Sequence, residues 1–420
     1  MYKTLRILAG VTVLLAVASL SGTGQQNRSA DFKKVDEFAV TAPAEVTTSM
    51  DELARWLTKP FTTDEEKARA IFRWITENIT YDIDSYFSGN LTGGDAQSAM
   101  KKRKAVCEGY SGLFESMAHS SGLEVVKISG YAKGYRYSIG KGISTKPDHA
   151  WNAIKINGEW KLMDCTWGAG YVGEDKKYHR RFSPYYFFAP PEEFIYAHLP
   201  VDERWQLLPH PISKEEFAQL VYLRPKFFSL GLRVIDRPQS TIQASGEVTA
   251  KLFAPEPIFC MTTLAQGGKT LGDRFTFVQQ DGDTISMSAL LPSRGEYTFR
   301  LFAKDKQDTG KYEWALDYKV ESEHGVNGIY PKTYGTFSDG GVVLYEPFSG
   351  ILKSKTQQHF KLKVPRAEKV AVLVNDQWNF LPQTSGLFEG NAAIKQGKIL
   401  VLGKFPEHEN FDALLEYTGK

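Results

Sequence analysis

Three residues of this chain have the types and order that thiol acyl chemistry requires. Cys107 stands in A-V-C-E-G-Y-S-G-L-F (Ala105–Phe114), His149 in H-A-W-N-A-I (His149–Ile154) and Asp164 in K-L-M-D-C-T-W (Lys161–Trp167). A thiolate attacks an amide carbonyl to form an acyl-enzyme. An imidazole holds the thiolate and later protonates the leaving amine, and a carboxylate fixes the imidazole tautomer. Taken singly, each residue reads more simply as a core thiol, a strand histidine or a turn partner. Taken together, Cys107 is the expected nucleophile, His149 the base and Asp164 the orienting acid.

The elements around them decide whether they can meet. After Cys107, the apolar residues Tyr110, Leu113, Phe114, Met117 and Ala118 recur at helical spacing, and Gly122 suits a left-handed stop. Gly109 and Gly112 weaken that helix, so close backbone approach is a reason to keep them. Cys107 then falls at or just before the first turn, where unpaired N–H groups and the positive end of the helix dipole favour a thiolate. Asn157-Gly158 predicts a two-residue hairpin turn. In that register Ile156 faces Glu159, Ala153 faces Leu162, Trp151 faces Asp164 and His149 faces Thr166. His149 and Asp164 become diagonal neighbours on one face, roughly 7–8 Å apart at the backbone and within reach of each other. Trp151, Ala153, Trp160 and Leu162 share that face. Cys165 points to the other, which argues against it as the nucleophile.

These motifs resemble the transglutaminase-like superfamily of papain-type thiol enzymes, with its C-x-G-Y/F helix, H-A-W-N strand and D-x-T-W strand. W-I-x-x-N-I-x-Y-D at Trp74–Asp82 also fits. More narrowly, the chain is similar to the kyphoscoliosis peptidase family in K-K-R-K-A-V-C-E-G-Y (Lys101–Tyr110), in the segment Tyr186–Phe228 and in Y-P-x-x-Y-G-x-F (Tyr330–Phe337). By position the resemblance assigns the same roles to Cys107, His149 and Asp164, and it implies peptidase activity. It also implies immunoglobulin-like modules after the core, and the Cys107 backbone N–H as an oxyanion donor. No second, side-chain donor stands out.

Composition bounds the rest. Of 420 residues, 24% are charged and 42% hydrophobic, enough to fill cores, and two or three domains are expected. A net charge of +2 gives no electrostatic case for nucleic acid. The three cysteines, Cys107, Cys165 and Cys260, form no disulfide framework, and Cys260 is expected to be an inert buried thiol. Neither H-E-x-x-H nor a paired C-x-x-C occurs, so no metal or other cofactor is expected. His119, His179, His198, His210, His324, His359 and His408 lack a matching strand context and are expected in surface or structural places.

The expected organisation is α+β: a papain/transglutaminase-like core followed by two all-β immunoglobulin-like sandwich domains. Residues 1–24 read as a signal peptide. Lys3 and Arg6 precede the apolar run Ile7–Leu20, which is short for a stable membrane span, and small residues offer cleavage points. An uncleaved anchor is the alternative. The expected location is therefore secreted, periplasmic or otherwise extracytoplasmic. Residues 25–48 read as a linker and 49–230 as the catalytic domain, with a capping box at Thr63–Glu66 and a loop at Tyr86–Gln97. The run Lys101–Lys104 reads as a solvated face, or as a source of positive potential beside the thiol. Gly134–Asp148 reads as a mobile loop beside the site. Short strands from about Gly231 and again from Val326 predict sandwiches at 231–324 and 325–420. Asn27, Asn78 and Asn90 lie in N-x-S/T sequons.

The expected partner is a protein or peptide substrate, with protein or surface-polymer binding through the β domains. Water as acyl acceptor gives proteolysis or deamidation; a lysine amine gives crosslinking. A scaffold retaining the fold without turnover is the other reading, and it has no chemical need for all three site residues.

Overall fold

The computed structural model describes residues 32–89 and 94–420. The expected signal peptide and the sequons at Asn27 and Asn90 lie outside the described residues. Among those described, no helix is long and apolar enough to cross a membrane.

The chain has the expected architecture, a mixed core followed by two β-sandwiches. In the core a five-stranded antiparallel sheet runs in the order Phe187–Ala189, Glu159–Met163, His149–Ile156, Val125–Ala132, His198–Pro200. The helix Cys107–Ser120 packs against its central strand, tied by Asn152 Nδ2 donating to Ser111 O at 3.1 Å. The strand His149–Ile156 is buried along nearly its whole length, because neighbours cover both faces. Helix Asp64–Asn78 starts at the Thr63/Glu66 capping box and buries Ala68, Ile71, Phe72 and Ile75 in the same core, with Trp74 beside them.

Several expectations change here. The segment expected as a linker is packed from Phe32 onward. Helix Lys33–Ala39 buries Val35 and Ala39, and Asp36 holds the buried Arg69 through two hydrogen bonds of 2.7 Å. Arg69 lies among the rings of Phe32, Phe72, Phe182 and Phe187. The polar composition hid an amphipathic turn whose aspartate neutralises a buried guanidinium. The expected loop Tyr86–Gln97 is partly helical, in Ile83–Ser88 and Ala96–Lys102, each capped by an aspartate, Asp82 and Asp95. The basic run divides. Arg103 donates to Thr47 O and lies over Trp74, and Lys104 pairs with Asp82 and Asp84, leaving Lys101 and Lys102 exposed.

The first sandwich shows the clean period-two burial of strands with one face inward, as in Glu247–Phe253, Thr284–Leu290 and Gly295–Asp305. The two sandwiches repeat one topology. Each pairs a larger sheet, in which an early short strand adds parallel to the last long one, with a four-stranded sheet. The first takes its sheet edge from Tyr222–Leu223, ahead of the composition change near Gly231, because Tyr222 and Leu223 pair with Asp317 and Leu316.

Candidate active site

Val106 is the N-cap and Cys107 the first residue of its helix, so the Cys107 N–H has no intrahelical acceptor. Cys107 is half-buried. Of the two glycines after it, only Gly109 leaves no room for a side chain. A Cβ there would lie 2.7 Å from Ala105 Cβ and 2.9 Å from Gly94 O. Cys165 is buried, and burial, aided by the Asp164 charge, pushes its thiol well above the ordinary range. Burial likewise pushes the half-buried Cys260 up to about 12. Neither can supply a thiolate as readily as an open thiol beside an imidazolium.

The hairpin has the predicted turn and the pairs Ile156–Glu159 and Ala153–Leu162, but its ladder stops at Asn152–Met163. The expected pairs Trp151–Asp164 and His149–Thr166 do not form. At Asp164 the chain leaves the strand and enters the short helix Cys165–Ala169. Asp164 is the N-cap of that helix, and its Oδ1 accepts the N–H groups of Thr166 at 2.8 Å and Trp167 at 3.0 Å. This frees Oδ2 to accept from His149 Nε2 at 2.7 Å. The carboxylate is therefore held by a helix start rather than by a strand register.

One residue assigned above to a surface or structural place belongs to this cluster. His198, on the edge strand of the core sheet, is 1% exposed, and its Nε2 approaches the same Asp164 Oδ2 at 3.0 Å. Its ring stacks on Phe194 at 3.9 Å and 13°, with Trp167 at 4.4 Å and Trp151 at 5.2 Å. No sequence motif marks it. The one available hint was a histidine between the apolar residues Ala197 and Leu199, in a segment similar to the kyphoscoliosis peptidases.

The electrostatics follow from burial and pairing. Burial would raise the Asp164 carboxyl, yet the charge and hydrogen bond of His149, with the hydrogen bond of His198, hold it well below the usual carboxylate range. Burial opposes charge on His149. The charge and hydrogen bond of Asp164, joined by those of Cys107, outweigh it and hold the imidazolium up to about 10. His149 Nε2 is taken by Asp164, which leaves Nδ1 for the sulfur. Burial dominates at His198 and pushes it down to about 4, against the pull of Asp164, so it is a neutral N–H donor. Cys107, His149 and Asp164 thus come together as a connected set, with Trp167 covering the imidazole at 5.2 Å.

His149, Asp164 and His198 are also ligand types whose atoms lie close enough to hold a cation. Both Nε2 atoms already hydrogen-bond to one carboxylate oxygen, so a cation there would have to displace both bonds. The arrangement as it stands serves proton handling and charge pairing.

Residues 51–165 match the family described as Transglutaminase-like superfamily, and residues 214–333 match the KY-like, immunoglobulin-like domain. The chain is 30% identical over 300 residues to the kyphoscoliosis peptidase of Homo sapiens, covering 71% of this chain and 44% of that protein. It is 29% identical over 302 residues to Hillarin of Drosophila melanogaster, covering 65% of this chain and 36% of that protein. The chain thus matches less than half the length of these curated relatives. Its core is a transglutaminase-like superfamily domain followed by a KY-like, immunoglobulin-like domain, in a chain similar to the kyphoscoliosis peptidases over about 70% of its length.

Proposed function

We propose that this chain is a cysteine-dependent acyl-transfer enzyme, a peptidase acting on protein amide bonds through Cys107, His149 and Asp164. The observation that carries the reading is a half-exposed thiol at a helix start, beside an imidazolium that a buried carboxylate holds charged. The sulfur of Cys107 adds to the carbonyl carbon, and the π electrons move onto oxygen. Collapse of that adduct breaks the C–N bond as His149 gives its Nδ1 proton to the leaving amine. Water then gives a proton back to His149 and its oxygen to the thioester, releasing the acid and the thiolate. Asp164 keeps Nε2 protonated and the ring aimed throughout. The similarity to proteins named kyphoscoliosis peptidase favours hydrolysis over crosslinking. We place the enzyme outside the cytoplasm, on the composition of residues 1–24, with the β-sandwiches as attachment modules for proteins or surface polymers.

The test incubates unfolded casein with wild type and with Cys107→Ala, reading new amino termini, released ammonia and dansylcadaverine incorporation. New amino termini that require Cys107 support the peptidase. Ammonia or dansyl incorporation without new termini replaces it with deamidation or crosslinking. Products that do not depend on Cys107, or no product by any readout, favour a scaffold.

A further inference from the structure

Acyl transfer develops negative charge on the carbonyl oxygen, and preorganised donors aimed at that oxygen supply much of the catalysis. The backbone offers one such donor here, the Cys107 N–H. Tyr81 is placed to offer the other. It lies in the two-residue strand Thr80–Tyr81, which pairs parallel with Lys104–Ala105, so its Cα sits opposite Ala105, two residues before the thiol. The Asp82 N–H donates to Ala105 O at 2.9 Å and fixes that register. Its ring packs on Tyr86 at 5.7 Å, Tyr178 at 6.3 Å and Tyr110 at 6.5 Å. Tyr110 is one turn beyond Cys107 on the same helix face. Two of these neighbours use their hydroxyls on backbone, the buried Tyr110 on Ile79 O at 2.7 Å and the half-buried Tyr178 on Ala169 O at 2.9 Å. The half-buried Tyr81 makes no such hydroxyl bond among the described residues.

We propose that the Tyr81 hydroxyl is the second oxyanion donor of the Cys107 site. It rests on the acyl-transfer reading above. The phenol stays protonated and able to donate: burial first, then the charges of Cys107, Tyr86 and Asp164, hold it far above the ordinary tyrosine value. As the Cys107 sulfur bonds to the carbonyl carbon, the oxygen gains the π electrons and accepts from Tyr81 O–H and Cys107 N–H. Both donors release it when the C=O bond re-forms and the leaving group departs.

Tyr81→Phe keeps the ring and removes the donor. Two probes separate its roles in the intact chain. p-Nitrophenyl acetate acylates a thiol through an oxyanion, forming the S–C bond and expelling nitrophenolate. Iodoacetamide alkylates it at a saturated carbon, expelling iodide with no oxyanion. Acylation by Tyr81→Phe is expected to slow by at least about tenfold, and by up to the roughly 10²–10³ that loss of one such donor reaches. Alkylation is expected to stay within about twofold. Equal rates for both probes, or both slowed together, overturn the proposal, the latter by making Tyr81 structural. Nitrophenolate release from wild type no faster than from Cys107→Ala overturns the acyl-transfer reading, and this assignment with it.

Discussion

His149 and His198 present their Nε2 atoms to a single oxygen, Asp164 Oδ2, at 2.7 and 3.0 Å, yet only His149 is held charged at neutral pH. His149 is held up to about 10 and His198 is pushed down to about 4. One carboxylate cannot neutralise two buried imidazolium ions. The ring that also faces Cys107 takes the proton, and the ring packed on Phe194 remains neutral.

The neutral state of His198 gives folding an acid limb. Its folded pKa of about 4 lies below the ordinary 6.5, so the unfolded chain binds the extra proton between those values. Its share of stability is complete above 6.5 and is lost as pH falls toward 4. His198→Phe is expected to be less stable than wild type by roughly 1.5–3 kcal/mol near pH 7, the loss of a hydrogen bond to a charged group. That gap should narrow from pH 6.5 to pH 4 in urea unfolding. A gap that stays constant with pH contradicts the assignment.

Just above neutral pH two groups oppose each other. His149, raised to about 10, contributes stability that is complete below 6.5 and is lost as pH rises through 10. Lys133 is fully buried, donates to Leu220 O at 2.8 Å and is pushed down by burial to about 7. Its folded value lies below the ordinary 10.5, so its contribution grows as pH rises from 7 toward 10.5. Between pH 7 and about 8.5, below the range where the raised Cys165 and Cys260 thiols add their own alkaline loss, the two changes offset each other. Lys133→Met removes one of them and should expose a fall in the urea midpoint over that range, while wild type changes less. Adding His149→Gln should flatten the fall again. A level profile in Lys133→Met alone would show that His149 is not held charged.

Two glycines on the Cys107 helix should respond oppositely to one methyl group. At Gly109 a Cβ meets Ala105 Cβ at 2.7 Å and Gly94 O at 2.9 Å, whereas at Gly112 the nearest atoms are in Ala96 at 3.8 Å, ordinary contact. Gly112→Ala should stabilise by up to about 1 kcal/mol through helix propensity. Gly109→Ala should destabilise by about 1–3 kcal/mol through overpacking, and it should slow iodoacetamide labelling of Cys107 by moving the helix start. Thermal unfolding midpoints check the first two effects. Equal responses at the two positions would remove the reason given for Gly109.

The helical period after Cys107, the Thr63–Glu66 capping box and the Asn157-Gly158 turn were legible because each depends on neighbours a few residues away. The same holds for strands of the first sandwich, whose apolar residues alternate along one chain segment. Helix Lys33–Ala39 was not legible. Its place depends on Arg69, a partner 33 residues away that needs a buried counter-ion. Asp164 was assigned as the orienting acid but given to a strand, since hairpin register extrapolates correctly only while the ladder continues, and here it ends one residue earlier.

What the sequence determined by itself was the set Cys107, His149 and Asp164 and the local elements that carry them, because short-range periodicity and turn chemistry are written in adjacent residues. Only the tertiary structure decided that His198 joins Asp164 from the sheet edge, and that Tyr81 stands beside the Cys107 helix start. Those placements come from strands distant in sequence brought side by side. There, burial and pairing with one carboxylate, rather than residue type, set which imidazole carries charge.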